Sequence, residues 1–366
     1  MDVKKIDRNF ETSFEAPSDV EWFSVREEPF KTYGMFYSES EGLYRRMPKD
    51  VADATNPGVA FLSLHSAGGR VRFATDSPYV IVRAVEVFEE PFSHMAICGK
   101  HGFTLIGNNR FCGTYMPQYR HFVEGEKSGS IVFDGMKTPW LDTEAAPYEM
   151  ELYFPLYCIV KEVYVGLKKG CKLTEPKPYK HEKPVLFYGS SITQGGCASK
   201  PGDDYVARLG RMLDTDFINL GFSGSARAED VMIDYLSSLD PSVFVMDYDH
   251  NAPDAQHLEK THHKLYKAFR SAHPSTPIIM MTMPTIEGYE AKPWNTDRYK
   301  TILASFDKAR ASGDENVYLV DCYGCFGKLH NGEWGTVDDC HPDSLGFLRM
   351  AEAVYPVLSK LLKSDN

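Results

Sequence analysis

Residues 184–196 read PVLFYGSSITQGG, and this stretch decides the fold of the second half of the chain. Its apolar residues 185–188 end at Gly189 and are followed by a turn rich in serine and glycine. This pattern predicts a buried strand that ends in a tight turn. Further apolar runs of the same kind follow at 217–220, 243–247, 278–283 and 317–320.

Segments with helical spacing separate these runs, at 205–213, 257–269 and 299–311, and another at 345–362 closes the chain. Strands that alternate with helices form parallel βαβ units, whose sheet is covered on both faces. The second half therefore predicts a three-layer, flavodoxin-like α/β domain with a five-stranded parallel sheet.

Residues that can carry chemistry follow four of these runs, where each predicted strand ends. Ser191 follows the first run, Gly224 the second and Asn251 the third, while Asp338 and His341 come after the last one and before the closing helix. In such sheets ligands bind beyond the carboxyl ends of the strands. Each residue alone could be an ordinary turn, cap or surface residue, but the ordered set predicts one site.

This set resembles the sequence blocks of the SGNH (GDSL-like) serine hydrolases. The G-x-S-I-T around Ser191 is similar to the block of the family's nucleophile, and the D-x-x-H of Asp338 and His341 is similar to its acid and base block. Gly224 and Asn251 resemble the oxyanion-hole glycine and asparagine, although this chain has D-H-N-A where many members have G-x-N-D. The resemblance covers residues 184–366.

The resemblance implies a Ser-His-Asp triad and an oxyanion hole. His341 would take the proton of Ser191, and Asp338 would orient the imidazole. The N–H groups of Ser191 and Gly224 and the amide of Asn251 would hold the oxyanion. This chemistry requires neither a metal nor an organic cofactor, so we expect none. Substrate contacts are predicted for three further residues: Ser190, His250 and Trp294.

Two other interpretations of the serine turn do not fit. The α/β-hydrolase elbow requires G-x-S-x-G, but Thr193 occupies the last position. A phosphate-binding P-loop requires a lysine after its glycines, and residues 195–197 read GGC.

The first half of the chain has a different hydrophobic pattern. Its apolar runs at 59–64, 70–74, 79–87 and 148–154 are rich in Val, Phe and Tyr and are separated by turn formers. Short strands without helical segments between them predict an antiparallel, jelly-roll-like β-sandwich. Gly42-Leu43-Tyr44 and residues 65–82 resemble the N-terminal β domain of some bacterial SGNH hydrolases. Such two-domain proteins resemble carbohydrate esterases that remove acetyl groups from sugars.

A proline-rich, charged stretch, TEPKPYKHEKP at 174–184, separates the two halves with different hydrophobic patterns and predicts a semi-rigid linker. We therefore expect a β-sandwich domain at 1–173, a linker at 174–183 and a hydrolase domain at 184–366. The β domain could shape the cleft, contact glycan or only support packing, and the sequence leaves these alternatives open.

The charge of the chain excludes some partners. Its 366 residues carry a formal net charge of −11 without a basic cluster, which argues against nucleic acid and anionic membranes as partners. No apolar run is long enough to span a membrane, and the N-terminus lacks the apolar segment of a secretory signal. We expect a cytoplasmic protein as the sequence stands, or a periplasmic or secreted one if a signal segment preceded it.

The eight scattered cysteines predict reduced thiols. The sequence does not decide whether the chain forms a homo-oligomer.

Together these observations predict a serine esterase that hydrolyses short-chain acyl esters, above all acetyl esters, on a glycan or another small molecule. Two alternatives stay open. One is a lipid or thioester acylhydrolase of the same family, and the other is a catalytically silent glycan-binding protein. The intact serine, aspartate and histidine favour the enzyme.

Overall fold

The computed structural model describes residues 15–117, 130–137, 146–285, 293–327 and 334–363. Its strands, in chain order, are β1 (Val20–Ser24), β2 (Lys31–Tyr33), β3 (Phe36–Ser38), β4 (Leu43–Arg45), β5 (Arg70–Thr75), β6 (Val80–Val87), β7 (Phe103–Gly107), β8 (Arg110–Tyr115), β9 (Ser130–Lys137), β10 (Tyr148–Tyr153), β11 (Val160–Lys168), β12 (Leu173–Thr174), β13 (His181–Gly189), β14 (Thr215–Gly221), β15 (Val243–Asp247), β16 (Ile278–Met281) and β17 (Val317–Val320).

In the described parts of the chain, the helices are fewer in the first half than in the second. They are α1 (Lys49–Thr55), α2 (Pro57–Leu62), α3 (Ile97–His101), α4 (Ser191–Gln194), α5 (Tyr205–Leu213), α6 (Asp230–Ser238), α7 (Ala255–Ala272), α8 (Pro293–Ala311) and α9 (Ser344–Lys363), with a 3₁₀ turn at Asp249–Asn251.

The first half folds into two main antiparallel sheets around one core, with β3 and β4 paired separately as a two-stranded sheet. One sheet has the order β1-β11-β6-β9, and the other has the order β12-β5-β10-β7-β8 with β2 beside β5. The core between them contains fully buried residues of both sheets, among them Phe73, Val82, Leu105 and Val165. Alternating strand residues point to opposite faces, so each sheet presents one apolar face to the other. This arrangement confirms the predicted sandwich.

Short helices interrupt this β domain, so the prediction of strands alone was wrong. The run at 59–64, predicted as a strand, lies largely in α2. Asn56 begins this helix because its side chain accepts a hydrogen bond from the Val59 N–H at 2.9 Å, and Pro57 occupies the first helical position. The capping signal outweighs the β propensity of the residues that follow it.

The second half contains the five-stranded parallel sheet, with the order β14-β13-β15-β16-β17. Val185 and Phe187 face the core formed with α5 and α9. Leu186 and Tyr188 face the opposite core, formed with α6, α7 and α8. Because successive strand residues alternate between the faces, an uninterrupted apolar run suits a sheet covered on both sides. The predicted three-layer α/β architecture is confirmed.

The segment predicted as a linker is packed more deeply than its composition indicates. Thr174 pairs with β5, and β13 already begins at His181. Tyr179 is buried, and its hydroxyl accepts a hydrogen bond from Arg70 Nε at 2.8 Å. Arg70 also forms an ion pair with Asp216 of β14, so this segment and both halves share contacts. The domain boundaries at 173 and 183 stay a prediction.

All eight cysteines carry free thiols. In the described parts of the chain, none of the helices combines the length and the apolar composition that a bilayer crossing requires.

Candidate active site

Ser191 lies at the tight turn where β13 ends and α4 begins. Gly189 precedes it, and a Cβ there would come within 1.9 Å of Thr193 Oγ1, so only glycine fits. The Ser190 hydroxyl caps α4 by accepting from the Ile192 N–H at 3.1 Å. Ser191 is the first residue of this helix, so its own N–H has no acceptor within the helix. The turn therefore presents both the hydroxyl and the N–H of Ser191.

The loop before α9 brings Asp338 and His341 to Ser191. Ser191 Oγ lies 2.9 Å from His341 Nε2, and His341 Nδ1 lies 2.8 Å from Asp338 Oδ2. The backbone N–H of His341 also donates to Asp338 Oδ1 at 2.7 Å, and a bridge between Thr336 and Pro342 closes the loop. Ser191 is thus joined by one continuous line of hydrogen bonds to His341 and Asp338, which lie about 150 positions later in the sequence.

The surroundings of Asp338 keep its carboxylate charged. Partial burial acts to raise the pKa of Asp338, but the hydrogen bonds and charge of His341 and the Cys340 N–H lower it below its usual value. A carboxylate at Nδ1 favours the tautomer with its proton on Nδ1. His341 Nε2 is then free to accept the Ser191 proton.

Gly224 and Asn251 follow β14 and β15, the two neighbours of β13 in the sheet. Gly224 has φ +65°, and among the described residues no atom lies within 4 Å of the position that its Cβ would take. The Asn251 amide donates to the Phe222 carbonyl at 2.6 Å and so ties the two loops together. Because a side-chain amide has two N–H groups, one remains for a ligand.

Gln194 connects the serine turn, residues 189–194, with the loop after β14 that contains Gly224, which we call the glycine loop. It was not among the residues predicted from the sequence. Its Oε1 accepts from the N–H of Ser223, the residue directly before Gly224, at 3.0 Å. Its Nε2 donates to the Leu156 carbonyl at 3.3 Å and lies 3.4 Å from His65 Nδ1. Its place three residues after the serine, inside a conspicuous turn motif, was the available signal.

His65 is a first-domain residue buried behind this glutamine. Its Nε2 lies 3.3 Å from Glu89 Oε1. Burial lowers the pKa of His65, and the opposing effect of Glu89 does not restore it to the usual value, so the ring is neutral at neutral pH. A neutral ring can accept at Nδ1 the hydrogen bond that Gln194 Nε2 donates.

Arg46 is a buried first-domain cation held by carbonyl groups. Burial lowers the pKa of Arg46 to about 9, so it is still charged at neutral pH. Its guanidinium also lies 4.8 Å from the centre of the Phe222 ring. The loop with Gly224 starts from the strand end that Arg46 holds. Arg46 donates to four backbone carbonyls, two in each half of the chain: Leu62, His65, Asn219 and Gly221.

Three aromatic residues of the first domain flank the site. The Tyr157 hydroxyl donates to the Ser191 carbonyl at 3.2 Å. The ring of His94 lies 5.5 Å from that of His341, and the ring of Phe92 lies 6.4 Å from that of Tyr157. Phe92 is 41% exposed. The first domain thus forms one wall of the candidate site.

Asp247, at the end of β15, lies beneath the serine turn. Its carboxylate accepts from Thr193 Oγ1 at 2.8 Å and from the Tyr205 hydroxyl at 2.7 Å, and its carbonyl accepts from the Ser190 N–H at 3.3 Å. Burial and the neighbouring Asp249 raise the pKa of Asp247 to about 7, although the two hydroxyl donors oppose this rise. The support of the turn therefore contains a group that titrates near neutral pH.

The three predicted substrate contacts have different outcomes. Ser190 is fully buried and caps α4, so it supports the turn; its contact with substrate stays a prediction. His250 lies against Asp249 and Cys340; burial acts to lower the pKa of His250, but these neighbours raise it to about 10. Its contact with substrate stays a prediction. The side chain of Trp294 lies outside the described residues.

Among the residues that the structure describes, two clusters of side chains could hold a metal ion. Glu86, His101 and Cys158 form one inside the first domain, where all three are fully buried and Glu86 Oε2 lies 2.9 Å from His101 Nδ1. The second cluster includes two members of the hydrogen-bonded line at Ser191. It consists of His94, Cys197, Asp338 and His341. That the reaction needs no metal or organic cofactor stays a prediction.

Both halves of the chain match models of known families. Residues 182–359 match the GDSL-like lipase/acylhydrolase family, and residues 20–173 match the N-terminus of SGNH-hydrolase-type esterases. No curated protein matches the chain.

Solved structures share the two-domain fold. A Bacteroides ovatus protein described as a GDSL-like lipase is 26% identical, with a TM-score of 0.80 over 94% of this chain and 98% of that chain. The salicylyl-acyltransferase SsfX3 of a tetracycline biosynthetic pathway is 17% identical, with a TM-score of 0.71 and the same coverage. The acetyl xylan esterase Est2A of the rumen bacterium Butyrivibrio proteoclasticus is 12% identical, with a TM-score of 0.59 over 94% of this chain and 99% of that chain. The last two likenesses support the fold alone. By the families that its two halves match, this chain is a two-domain esterase of the GDSL-like (SGNH) hydrolases.

Proposed function

We propose that the chain hydrolyses short-chain acyl esters, above all acetyl esters of carbohydrates, with Ser191 as its nucleophile. One observation carries this proposal: the line of hydrogen bonds from Ser191 through His341 to Asp338, with distances of 2.9 and 2.8 Å. A general base must lie within hydrogen-bond reach of the proton that it takes, and Nε2 meets this requirement.

The reaction has two halves. Ser191 Oγ attacks the ester carbonyl carbon while His341 Nε2 takes the hydroxyl proton, and Asp338 stabilises the imidazolium that forms. The tetrahedral intermediate then breaks its bond to the alcohol, which leaves with the proton from His341. Water next attacks the acyl-Ser191 ester, again giving its proton to His341. Collapse of this second intermediate releases the carboxylic acid and restores the Ser191 hydroxyl.

Three N–H donors would hold the oxyanion of each intermediate. They are the backbone N–H groups of Ser191 and Gly224 and the second N–H of the Asn251 amide. The open space at Gly224 and the tie from Asn251 to Phe222 support these roles. Loss of one such donor lowers turnover by about 10²–10³-fold in other hydrolases.

Three observations support carbohydrate acetyl esters as the substrate class. Est2A, which shares the fold, is an acetyl xylan esterase. A formal net charge of −11 favours a neutral substrate over a polyanion. The side chain of Phe92 beside the site is 41% exposed, and its ring offers an apolar face for an acyl group or a sugar ring.

The test compares wild type with Ser191→Ala, Asp338→Asn and a surface control, Ser359→Ala, on p-nitrophenyl esters from acetyl to octanoyl. We expect Ser191→Ala to lower kcat by about 10⁴-fold or more and Asp338→Asn by about 10⁴-fold, with the control unchanged. Activity should fall as the acyl chain lengthens and should extend to acetylated xylo-oligosaccharides.

Each alternative has its own result. Equal rates for wild type and Ser191→Ala would refute Ser191 as the nucleophile. Rates that increase with chain length would favour a lipid acylhydrolase. A wild type that hydrolyses none of these esters but binds xylo-oligosaccharides would favour the glycan-binding protein.

A further inference from the structure

The second cluster named above combines residues of both halves of the chain. His94 is exposed and comes from the first domain, while Cys197 lies just after the serine turn and is 7% exposed. Asp338 and His341 lie on the loop before α9, with side chains 34% and 19% exposed. One donor atom from each residue lies within 4.8 Å of the donor atoms of the other three.

We propose that His94, Cys197, Asp338 and His341 form an inhibitory Zn²⁺ site. Thiolate sulfur, imidazole nitrogen and carboxylate oxygen are the ligands that Zn²⁺ takes in proteins, commonly four in a tetrahedron. A cysteine thiolate and the carboxylate together balance the double charge of the ion. The softer thiolate favours zinc over magnesium or calcium, which take oxygen ligands.

The spacing of the donors requires only a small closure. Zinc bonds of about 2.0–2.3 Å at tetrahedral angles separate neighbouring donors by about 3.3–3.8 Å. The observed limit of 4.8 Å therefore exceeds the zinc-bound spacing by about 1–1.5 Å. The exposed His94 can supply much of this closure by a change of rotamer. When Zn²⁺ binds, the Cys197 thiol proton leaves to solvent and the S–Zn bond replaces the S–H bond.

The zinc ion would inhibit and not assist the reaction. A histidine ring has two nitrogens, and those of His341 are already engaged with Ser191 and Asp338. A Zn²⁺ bound at either nitrogen breaks one of these hydrogen bonds. It removes either the base from Ser191 or the carboxylate that orients the base. This consequence rests on the proposed function, whereas zinc binding itself does not.

The other buried cluster offers an internal comparison. Glu86, His101 and Cys158 also combine carboxylate, imidazole and thiol, but all three are fully buried. The cluster at the active site is open to solvent at His94 and Asp338, so an ion can reach it without opening of the fold.

The experiment measures Zn²⁺ binding to the full chain by isothermal titration calorimetry. Wild type is compared with His94→Ala, Cys197→Ser and Ser191→Ala. Cys171→Ser is the matched thiol control, because Cys171 is not part of either cluster. We expect one site in wild type, at least tenfold weaker binding in His94→Ala and Cys197→Ser, and unchanged binding in Ser191→Ala and Cys171→Ser. In parallel, Zn²⁺ should inhibit p-nitrophenyl acetate hydrolysis by wild type, and EDTA should restore the rate.

The outcomes separate this proposal from the proposed function. Equal zinc affinity in wild type, His94→Ala and Cys197→Ser would overturn the site, as would the absence of binding to wild type. If Cys197→Ser does not fold, as judged by circular dichroism, His94→Ala decides alone because His94 is exposed. Zinc binding that depends on His94, in a protein whose activity survives Ser191→Ala, would support the site while refuting the nucleophile.

Discussion

Replacing Arg46 by methionine tests how the first domain holds the glycine loop of the active site. Methionine fills a similar volume without charge or donors. The change leaves four buried carbonyls without the donor that they share, two of them at the end of β14. The guanidinium is matched by carbonyl dipoles and the Phe222 ring, so its removal does not release a carboxylate partner.

The magnitude follows from the number of carbonyls. The Leu62 carbonyl keeps the His65 N–H as a donor at 3.1 Å, so at most three of the four carbonyls become unsatisfied. At the low end of the usual range, about 1 kcal/mol for each unsatisfied buried group, the loss is about 3 kcal/mol. The guanidinium no longer has to be desolvated, which offsets part of this loss. We therefore expect Arg46→Met to lower the free energy of unfolding by about 2–3 kcal/mol, a large fraction of the usual 5–15 kcal/mol. Arg46→Lys keeps the charge but has fewer donors, so its free energy of unfolding should lie between those of wild type and Arg46→Met.

Urea unfolding followed by circular dichroism measures the stability of the three proteins. Initial rates on p-nitrophenyl acetate at 10 °C, where the variants are still folded, measure the effect on the site. We expect kcat of Arg46→Met to fall by about tenfold or more, because the glycine loop shifts. A variant that keeps both the stability and the kcat of wild type would show that the carbonyls find other donors and that Arg46 does not position the loop.

Two further predictions concern the support of the serine turn. Gln194→Ala should lower kcat by about 10–100-fold with little change in KM, because the Ser223 N–H loses its acceptor and the glycine loop shifts. Gln256→Ala, at an exposed position of α7, is the control, and equal effects of the two would contradict this role. Asp247→Asn should flatten the pH dependence of stability. Because folding raises the pKa of Asp247 from 3.8 to about 7, its contribution is fully present below pH 3.8 and is lost as pH rises through 7. Wild type should therefore lose about 2–3 kcal/mol more than the variant between pH 5 and 8 in urea unfolding, and parallel curves would refute the assignment.

The parallel sheet and the grouping of the candidate site could be predicted because both follow from local patterns. Each core strand is an apolar run, and Ser191, Gly224 and Asn251 each come shortly after one of them. The topology of a parallel sheet then brings the strand ends to one edge without any further information. The short loop of Asp338 and His341 could be predicted for the same reason, since a hydrogen bond across three residues is local.

The error at residues 59–64 also has a local cause. Val59, Phe61 and Leu62 read as a strand by composition, but Asn56 and Pro57 are helix-start signals. Here the helix cap decides the local structure, and a prediction based on apolar content alone gives a strand instead of a helix.

The part that the first domain plays at the site could not be predicted from local patterns. Arg46 binds backbone carbonyls more than 170 positions away, and a carbonyl is the same group at every residue. His65 meets Gln194 across 129 positions, and either residue alone is an ordinary polar residue. Such pairs arise only when two folded surfaces dock, so they depend on shape, which periodicity does not encode.

These contacts bear on what the first domain does. Its residues near the site are of two kinds. Arg46 and His65 are buried and hold the serine turn and the glycine loop by hydrogen bonds, which is support through packing. Phe92 is exposed and lies near Tyr157, and the ring of His94 lies 5.5 Å from that of His341, so both line one side of the candidate site. A separate glycan-binding module would not need buried cations and histidines at the hydrolase surface. The first domain is therefore best understood as a part of the active site, and its removal should abolish activity even if the parallel sheet still folds.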